Sequence, residues 1–234
     1  MAVLPALLSV VIPAYNEERF IATLLARVAA VDVSPLGLRR EIIVVDDHSD
    51  DRTAELAAAQ PGVRVERLPA NRGKGYAVRV GISRSTGEYV LIQDADLEYD
   101  PQDHIPMLRA ALARPGAAVY GSRYLAGGRR PGQYWLAYLG GRSLSLIASW
   151  CTGTRLTDSA TALKLLPRAA LEAIRLDSDG FELDQEITVK LRARDVPILE
   201  VPIGYLPRSR ADGKKVRVRD WLVGAVTLLR YARG

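Results

Sequence analysis

An acidic cluster follows an apolar run in the stretch LIQDADLEYDP, residues 91–101. Asp94, Asp96, Glu98 and Asp100 occupy alternate positions directly after residues 90–92. Like charges this close repel one another, and burying them is costly unless a positive group pairs with them. Two carboxylates separated by one residue, such as Asp94 and Asp96, can converge on Mg²⁺ or Mn²⁺, which prefer oxygen ligands. A solvated acidic loop is the alternative, and the position of the cluster in the fold has to decide.

Two more polar segments follow apolar runs earlier in the chain. PAYNE (13–17) follows LLSVVI, and DDHSDD (46–51) follows EIIVV. Helical patterns separate these runs, and a strand–helix alternation of this kind predicts a mostly parallel sheet with helices on both faces. Ligands of such sheets bind beyond the carboxyl ends of the strands. We therefore expect the three polar segments to meet at one edge of the sheet, which favours a metal site over a solvated loop.

The elements that would position these segments can be outlined from the same patterns. Asn16 is expected to cap a first helix whose apolar positions run from residue 20 to residue 28. Two basic segments, around residues 129–130 and 208–219, lie in the second half of the chain. No linker separates the halves, so the prediction is one α/β domain over 1–234. Residues 101–234 would complete the sheet of residues 1–100 and cover its ligand edge.

Composition sets the limits of these interpretations. With 234 residues, 48% of them hydrophobic, the chain can bury a core, and its single cysteine, Cys151, excludes an internal disulfide framework. The net charge of +5 invites anionic ligands but is modest. No stretch reads as a transmembrane helix. The aromatic-rich segment 134–150 either lies on a membrane surface or packs in a core or dimer contact, and the pattern leaves both open.

The ordered set of motifs resembles family 2 glycosyltransferases with a GT-A fold. The resemblance is carried by SVVIPAYNEE, EIIVVDDHSDDRT, NRGKGYAVRVGI and GEYVLIQDADLEYDP, and it continues through YGSRY, DSATALKLLPRAAL and EVPIGYLPRSRADGKK. The later motifs are similar to those of the subgroup that transfers sugars to polyprenyl phosphates, which includes the dolichyl-phosphate mannose synthases and glucosyltransferases. The match covers nearly the whole chain in the family's order. It implies that residues 1–100 form a nucleotide-sugar-binding half and residues 101–234 an acceptor-binding half with a basic lid.

This resemblance implies roles for particular residues. The residues it implies for donor binding are Pro13, Tyr15, Glu17, Val45, Asp47, Asp94, Ala95 and Asp96. Those it implies for the metal, Mg²⁺ or Mn²⁺, are Asp94, Asp96 and Glu98, and those for the phosphates of donor and acceptor are Arg123, Arg208 and Lys214. Lys74 either faces the donor or only begins a helix, and we include it among the donor-binding predictions. Asp96, Arg123 and Glu186 are the predicted catalytic residues.

The chemistry of transfer leaves one ambiguity about the acceptor. A metal and an arginine would neutralise the charge that develops on a diphosphate leaving group. A phosphate acceptor is already an anionic nucleophile and needs positive residues, whereas a hydroxyl acceptor needs a carboxylate base. Glu182, Asp184 and Glu186 lie on or near one predicted helix, and any of them could be that base.

The sequence therefore predicts an inverting, metal-dependent hexosyltransferase. The donor would be a nucleotide sugar, with UDP favoured over GDP-mannose, and the acceptor a polyprenyl phosphate. The alternatives are a hydroxyl acceptor on the same fold and a non-catalytic nucleotide-sugar-binding protein. The expected location is cytoplasmic, with peripheral contact at the inner face of a membrane. Nucleic acid is not expected as a partner, and the oligomeric state stays open.

Overall fold

A seven-stranded sheet forms the centre of the protein. The computed structural model describes residues 6–125, 127, 132–208 and 218–232. The strands are β1 (Ala6–Ala14), β2 (Leu38–Asp46), β3 (Val63–Arg67), β4 (Tyr89–Ile92), β5 (Ala118–Ser122), β6 (Lys164–Pro167) and β7 (Ile198–Pro202). Their order in the sheet is β3-β2-β1-β4-β6-β5-β7.

One strand of this sheet runs against the others. The first four strands pair in parallel, and β5 pairs in parallel with β7. β6 is antiparallel to both of its neighbours, β4 and β5. The predicted α/β class with a mostly parallel sheet is confirmed. The strands of residues 1–100 form one side of the sheet, and those of residues 101–234 form the other, with β4 beside β6 where they join. The division at residue 100 stays a prediction.

Helices cover both faces of the sheet. They are α1 (Ile21–Ala30), α2 (Thr53–Ala58), α3 (Lys74–Arg84), α4 (His104–Ala113), α5 (Trp135–Thr152), α6 (Arg168–Glu172), α7 (Leu183–Arg192) and α8 (Val218–Tyr231), with short 3-10 turns at Ser34–Leu36 and Pro101–Asp103. Leu8, Val10 and Ile12 of β1 pack in the cluster that also contains α1 and α4. Val11 packs in the opposite cluster with α3, α6 and α7. Burial on both faces explains why the strands read as continuous apolar runs rather than alternating ones.

The first helix begins later than the sequence predicts. α1 starts at Ile21 and has no side-chain cap. Asn16 instead adopts a left-handed conformation, with φ of 51°, which Asn tolerates better than most residues. Its side-chain oxygen accepts a hydrogen bond from the Asp50 backbone N–H at 2.9 Å. The expected helix cap is therefore wrong, and Asn16 joins the first polar segment to the second.

The segment 134–150 forms most of α5, which has one packed side and one exposed side. Leu144 and Ala148 pack against Leu228 of α8. Leu136 and Trp150 are both 79% exposed. No helix in the described ranges is long and apolar enough to cross a membrane.

Candidate active site

The three polar segments meet at one edge of the sheet, as predicted. Ala14 at the end of β1 is paired with Asp46 at the end of β2, and the acidic turn follows β4 on the other side of β1. The Asn16 backbone N–H donates to Ser49 Oγ at 3.0 Å, and the Glu17 backbone N–H donates to Thr53 Oγ1 at 2.7 Å. The first two segments are thus fastened together, which leaves the acidic turn beside them as the third wall of a common site.

Asp94, the first acidic residue of the turn, forms an ion pair with Lys74. Lys74 Nζ lies 2.7 Å from Asp94 Oδ1 and 3.0 Å from Oδ2. Burial raises the pKa of Asp94, while the ammonium opposes that shift. Burial would lower the pKa of Lys74, but the carboxylates of Asp94 and Asp184 outweigh it, and the pKa is raised. Lys74 begins α3, so that helix delivers a cation directly to the predicted metal ligand.

Asp96, two residues further on, is paired with Arg208, which also binds two more of the predicted residues. Arg208 NH2 lies 2.9 Å from Asp96 Oδ2. The same guanidinium forms two hydrogen bonds of 3.0 Å with the carboxylate of Glu17. The Arg208 backbone N–H donates to Glu98 Oε1 at 2.7 Å, and Tyr205 donates to Glu98 Oε2 at 2.8 Å. Residues predicted for donor, metal and phosphate therefore form one connected group around Arg208.

Asp100, the fourth acidic residue of the opening stretch, has a different environment. Its side chain accepts a hydrogen bond from the Gln102 backbone N–H at 3.0 Å and caps the 3-10 turn before α4. It also pairs with Arg27 at 3.0 Å. Asp100 therefore organises the next element and stands apart from the carboxylates that Lys74 and Arg208 hold.

The donor set of the acidic turn fits a divalent cation in chemistry and in charge. Asp94 and Asp96 are hard oxygen donors with 22% and 16% of their side chains exposed. In the described part of the chain, however, no three His, Cys, Asp or Glu side chains already surround a common point, since Lys74 and Arg208 hold the carboxylates. Burial raises the pKa of Asp96, and the neighbouring Glu98 raises it further. A cation at this turn would relieve that repulsion.

Arg123 is held rigidly by a carboxylate that the sequence did not single out. Its Nε and NH2 donate to the two oxygens of Asp158 at 2.7 Å each, and its backbone N–H donates to the same carboxylate at 3.0 Å. Asp158 has no exposed surface. The ring centroids of Tyr124 and Tyr205 lie 5.3 and 5.2 Å from the central carbon of the guanidinium. Arg123 is thus a fixed positive group close to the end of β5.

The carboxylates on and before α7 have separate environments. Asp184 accepts a hydrogen bond from the fully buried Lys164 at 2.8 Å, and its charge influences Asp94 and Lys74. Glu186 is fully buried, and its two oxygens accept the backbone N–H groups of Asp177 and Ser178 at 2.8 Å each. It also pairs with Lys190 at 2.5 Å.

The two carboxylates of α7 differ in their link to the candidate site. Asp184 influences Lys74 and Asp94 through its charge, whereas Glu186 contacts Lys190 and the loop at residues 177–178. Glu182, just before the helix, accepts the Gly180 backbone N–H at 3.1 Å. The predicted catalytic role of Glu186 stays a prediction, and the contacts of Glu186 give it a structural task.

The remaining predicted residues shape the walls of the site or lie outside the described chain. The side chains of Pro13, Val45 and Ala95 are buried, and Val45 packs in the core against α3. Asp47 accepts the backbone N–H groups of Arg72 and Gly73 at 2.8 Å each, so it fixes the loop that leads into Lys74. Burial raises the pKa of Asp47. Tyr15 is half-buried, and Lys214 lies outside the described residues.

The fold and this group of residues place the chain in a known family. Residues 9–174 match the model of glycosyl transferase family 2. The chain belongs to that family, and the predicted class, a family 2 glycosyltransferase, is confirmed.

Two named transferases are similar to this chain over most of its length. A dolichol-phosphate mannosyltransferase of Pyrococcus furiosus is 31% identical over 217 residues, which cover 88% of this chain and 58% of the relative. An undecaprenyl-phosphate 4-deoxy-4-formamido-L-arabinose transferase of Pseudomonas paraeruginosa is 38% identical over 229 residues, covering 91% of this chain and 61% of the relative. The chain therefore spans about three fifths of the length of these relatives.

Solved structures share the fold. Glucosyl-3-phosphoglycerate synthase from Mycobacterium tuberculosis, in complex with uridine diphosphate, superposes with a TM-score of 0.72 at 22% identity and covers 97% of this chain and 80% of its own. The same enzyme with Mn²⁺, uridine diphosphate and glucosyl-3-phosphoglycerate superposes with a TM-score of 0.69 at 21% identity. At these identities the likeness shows the fold, and it confirms the predicted GT-A architecture.

Proposed function

We propose that this chain is an inverting glycosyltransferase that moves a hexose from a nucleotide sugar to a polyprenyl phosphate with the help of Mg²⁺ or Mn²⁺. The proposal rests on one observation: a chain of glycosyl transferase family 2 brings the charged residues around Asp94, Asp96 and Arg208 together at the ends of its strands. Relatives whose names include polyprenyl-phosphate sugar transferases support the acceptor class. The complexes of a structural neighbour with Mn²⁺ and uridine diphosphate support the donor class and the metal.

The donor would lie across the ends of β1, β2 and β4. Asp94 and Asp96 would hold the metal, with Glu98 as a third ligand, and the ion would neutralise charge on the diphosphate leaving group. Lys74 and Arg208, which already reach these carboxylates, would supply positive charge to the diphosphate. UDP is favoured over GDP as the nucleotide.

The acceptor phosphate would approach from the side of β5. Arg123 lies there in a fixed orientation because Asp158 binds it through both oxygens. A phosphate monoester needs no base to become a nucleophile, but it must approach a donor that is also negative. A positioned guanidinium lowers that electrostatic barrier, and its planar fork suits phosphate oxygens.

The first experiment tests donor and metal together. Thermal-shift measurements with UDP and GDP, each with Mn²⁺, identify the nucleotide, and transfer from the matching sugar donor to a short-chain prenyl phosphate follows. Asp96→Ala is expected to lower transfer by about 100-fold or more, because one preorganised charge contact with the leaving group is lost. Asp32→Ala is the control, since within the described ranges the hydrogen bonds of Asp32 stay in its own loop, with Ser34. Full activity of Asp96→Ala would overturn the metal assignment, and binding without transfer or hydrolysis would favour the non-catalytic alternative.

A hydroxyl acceptor is the second candidate, and Asp184 is the observation that favours it. This carboxylate is only 13% exposed, is held by Lys164 and lies within electrostatic reach of the acidic turn. Asp184→Asn would abolish transfer to a hydroxyl acceptor if Asp184 removes the proton, whereas transfer to a prenyl phosphate, measured per amount of folded protein, would continue. Glu186→Gln is the comparison variant, because Glu186 faces the loop at residues 177–178. Equal losses on both acceptor types would contradict a base role for Asp184.

Peripheral contact with the inner face of a cytoplasmic membrane is part of the proposal. α5 and α8 pack together and present exposed apolar side chains, among them Leu136 at 79%, Trp150 at 79% and Val226 at 62%. A helix pair with an exposed apolar face can lie in the interface between a bilayer and water. The net charge of +5 favours binding to anionic lipids. Cosedimentation with anionic vesicles tests this contact. The double substitution Leu136→Glu and Trp150→Glu should reduce binding, and unchanged binding would exclude α5 as the contact.

A further inference from the structure

The ammonium of Lys74 already binds Asp94, one of the predicted metal ligands. Its ammonium contacts both oxygens of Asp94, at 2.7 and 3.0 Å, and only 17% of its side chain is exposed. The centroid of the Phe181 ring lies 5.6 Å from the same ammonium. Because the ammonium contacts both oxygens of Asp94, a divalent ion that binds this carboxylate competes with Lys74 for it.

Displacement has a cost because the ammonium is mostly buried. Removing one partner of a poorly solvated ion pair leaves a charge without compensation, and this is far more unfavourable than breaking an exposed pair. Asp184 acts on Lys74 only through its charge. The diphosphate of a donor would give the ammonium a new anionic partner at the same edge of the sheet.

We infer that Lys74 couples the binding of metal to the binding of the diphosphate, so that each ligand binds weakly alone and tightly with the other. The metal frees Lys74 from Asp94, and the diphosphate receives it. Linkage requires the coupling to be reciprocal, so the nucleotide strengthens metal binding by the same factor. The inference rests on the proposed function, because it assumes a metal and a diphosphate at this turn.

Arg208 differs from Lys74 in a way that assigns the coupling to the lysine. Arg208 also pairs with a predicted metal ligand, Asp96, at 2.9 Å. When that contact is lost, Arg208 keeps its two hydrogen bonds of 3.0 Å with Glu17. Lys74 keeps no comparable carboxylate contact among the described residues. The larger share of the displacement cost therefore falls on Lys74.

Two binding measurements on purified full chain test the inference without any assay of activity. Mn²⁺ affinity is measured by electron paramagnetic resonance without nucleotide and with saturating nucleotide, and the ratio of the two affinities gives the coupling. UDP and GDP affinities are measured by calorimetry in the presence of a chelator. Lys74→Met removes the charge and keeps the length of the side chain. We expect it to bind Mn²⁺ roughly tenfold more tightly and the nucleotide several-fold more weakly than wild type. Lys74→Arg should resemble wild type on both measurements.

The opposite signs of the two changes distinguish coupling from damage to the fold. A misfolded or loosened site would lose affinity for both ligands, so a loss of both would overturn the inference, as would unchanged Mn²⁺ affinity. Arg52→Met, which removes an exposed arginine paired with Glu55 on α2, controls for the change in net charge. If wild type bound neither Mn²⁺ with nucleotide nor nucleotide alone, the proposed function itself would fail. If wild type bound both and Lys74→Met left their coupling unchanged, only this inference would fail.

Discussion

Two groups of ion pairs in the site use the same residue types in different surroundings. The front pairs, Lys74–Asp94 and Arg208–Asp96, have 12% to 22% of each side chain exposed. The back pairs, Arg123–Asp158 and Lys164–Asp184, each contain one member with no exposed side chain. Lys164 also donates to the backbone carbonyls of Ser159 and Thr161, so its three N–H groups are all engaged.

The difference shows which charges can change partners. A front pair can give up its carboxylate to an ion and its cation to a phosphate, because both groups reach the open edge of the sheet. A back pair cannot separate without leaving a charge buried and uncompensated. The front pairs therefore suit ligand exchange, and the back pairs suit holding Arg123 and Asp184 in fixed positions.

Breaking a back pair should have the largest effect on stability. Asp158→Asn leaves the mostly buried guanidinium of Arg123 without its carboxylate, and we expect the free energy of unfolding to fall by about 3–5 kcal/mol. Urea unfolding followed by circular dichroism measures this change. Glu55→Gln, which breaks the exposed pair with Arg52, should leave the urea midpoint in place. If Asp158→Asn were as stable as wild type, the argument that a back pair cannot be broken without a large cost would be wrong.

Glu186 tests whether a buried carboxylate away from the front pairs behaves like the back pairs. Glu186→Gln weakens its contacts with the loop at residues 177–178 and should cost about 1–3 kcal/mol of unfolding free energy at neutral pH. Burial alone would raise the pKa of Glu186, but the hydrogen bonds from Lys190, Ser178 and Asp177 outweigh it and lower the pKa below 4.5.

The lowered pKa gives this effect a direction with pH. A carboxylate whose pKa is lower in the folded state stabilises the fold above its unfolded pKa, and that contribution is lost as the pH falls through the folded pKa. The stability difference between wild type and Glu186→Gln should therefore shrink as the pH is lowered below 4.5, the ordinary value for this group. Parallel unfolding curves at neutral and acidic pH measure it, and a constant difference would contradict the role given to the ionised form.

Breaking a front pair should have the smallest effect on stability. In Lys74→Met the ammonium is removed rather than displaced, so no cation is left without a partner, and water can solvate the Asp94 carboxylate, of which 22% is exposed. We expect a loss of about 1 kcal/mol or less in the free energy of unfolding. Lys164→Met is the matched comparison and should resemble Asp158→Asn. Similar losses for the two lysine variants would remove the distinction between front and back pairs.

The sequence predicts that the three polar segments meet, because the carboxyl ends of neighbouring parallel strands lie at the same edge of a sheet. Each polar segment directly follows an apolar run, and the geometry of the sheet brings their carboxyl ends together. The partners of the carboxylates were harder to foresee, since Glu17 and Arg208 are 191 residues apart and Arg123 and Asp158 are 35 residues apart. One signal was available in the run TALKLLP: a lysine inside a core strand must be buried and paired.

The choice among the α7 carboxylates shows where sequence reasoning ends. Residues four apart lie on the same side of a helix, and a residue two positions away lies on nearly the opposite side. Glu182 and Glu186 are therefore separated from Asp184, but the spacing alone does not say which side faces the ligand edge. The packing of α7 on the sheet decides this. The helix places Asp184 against Lys164 of β6, and Glu186 against the loop that precedes the helix.

The reversed strand β6 has a consequence for the way the protein is made. β4 is complete at Ile92, but its second neighbour begins only at Lys164. At ordinary rates of synthesis this interval lasts several seconds, during which β4 is an open edge carrying a repulsive acidic turn. Exposed edges of parallel sheets invite pairing with other chains. The acidic turn would therefore also discourage intermolecular pairing at the end of β4 while the chain is still incomplete.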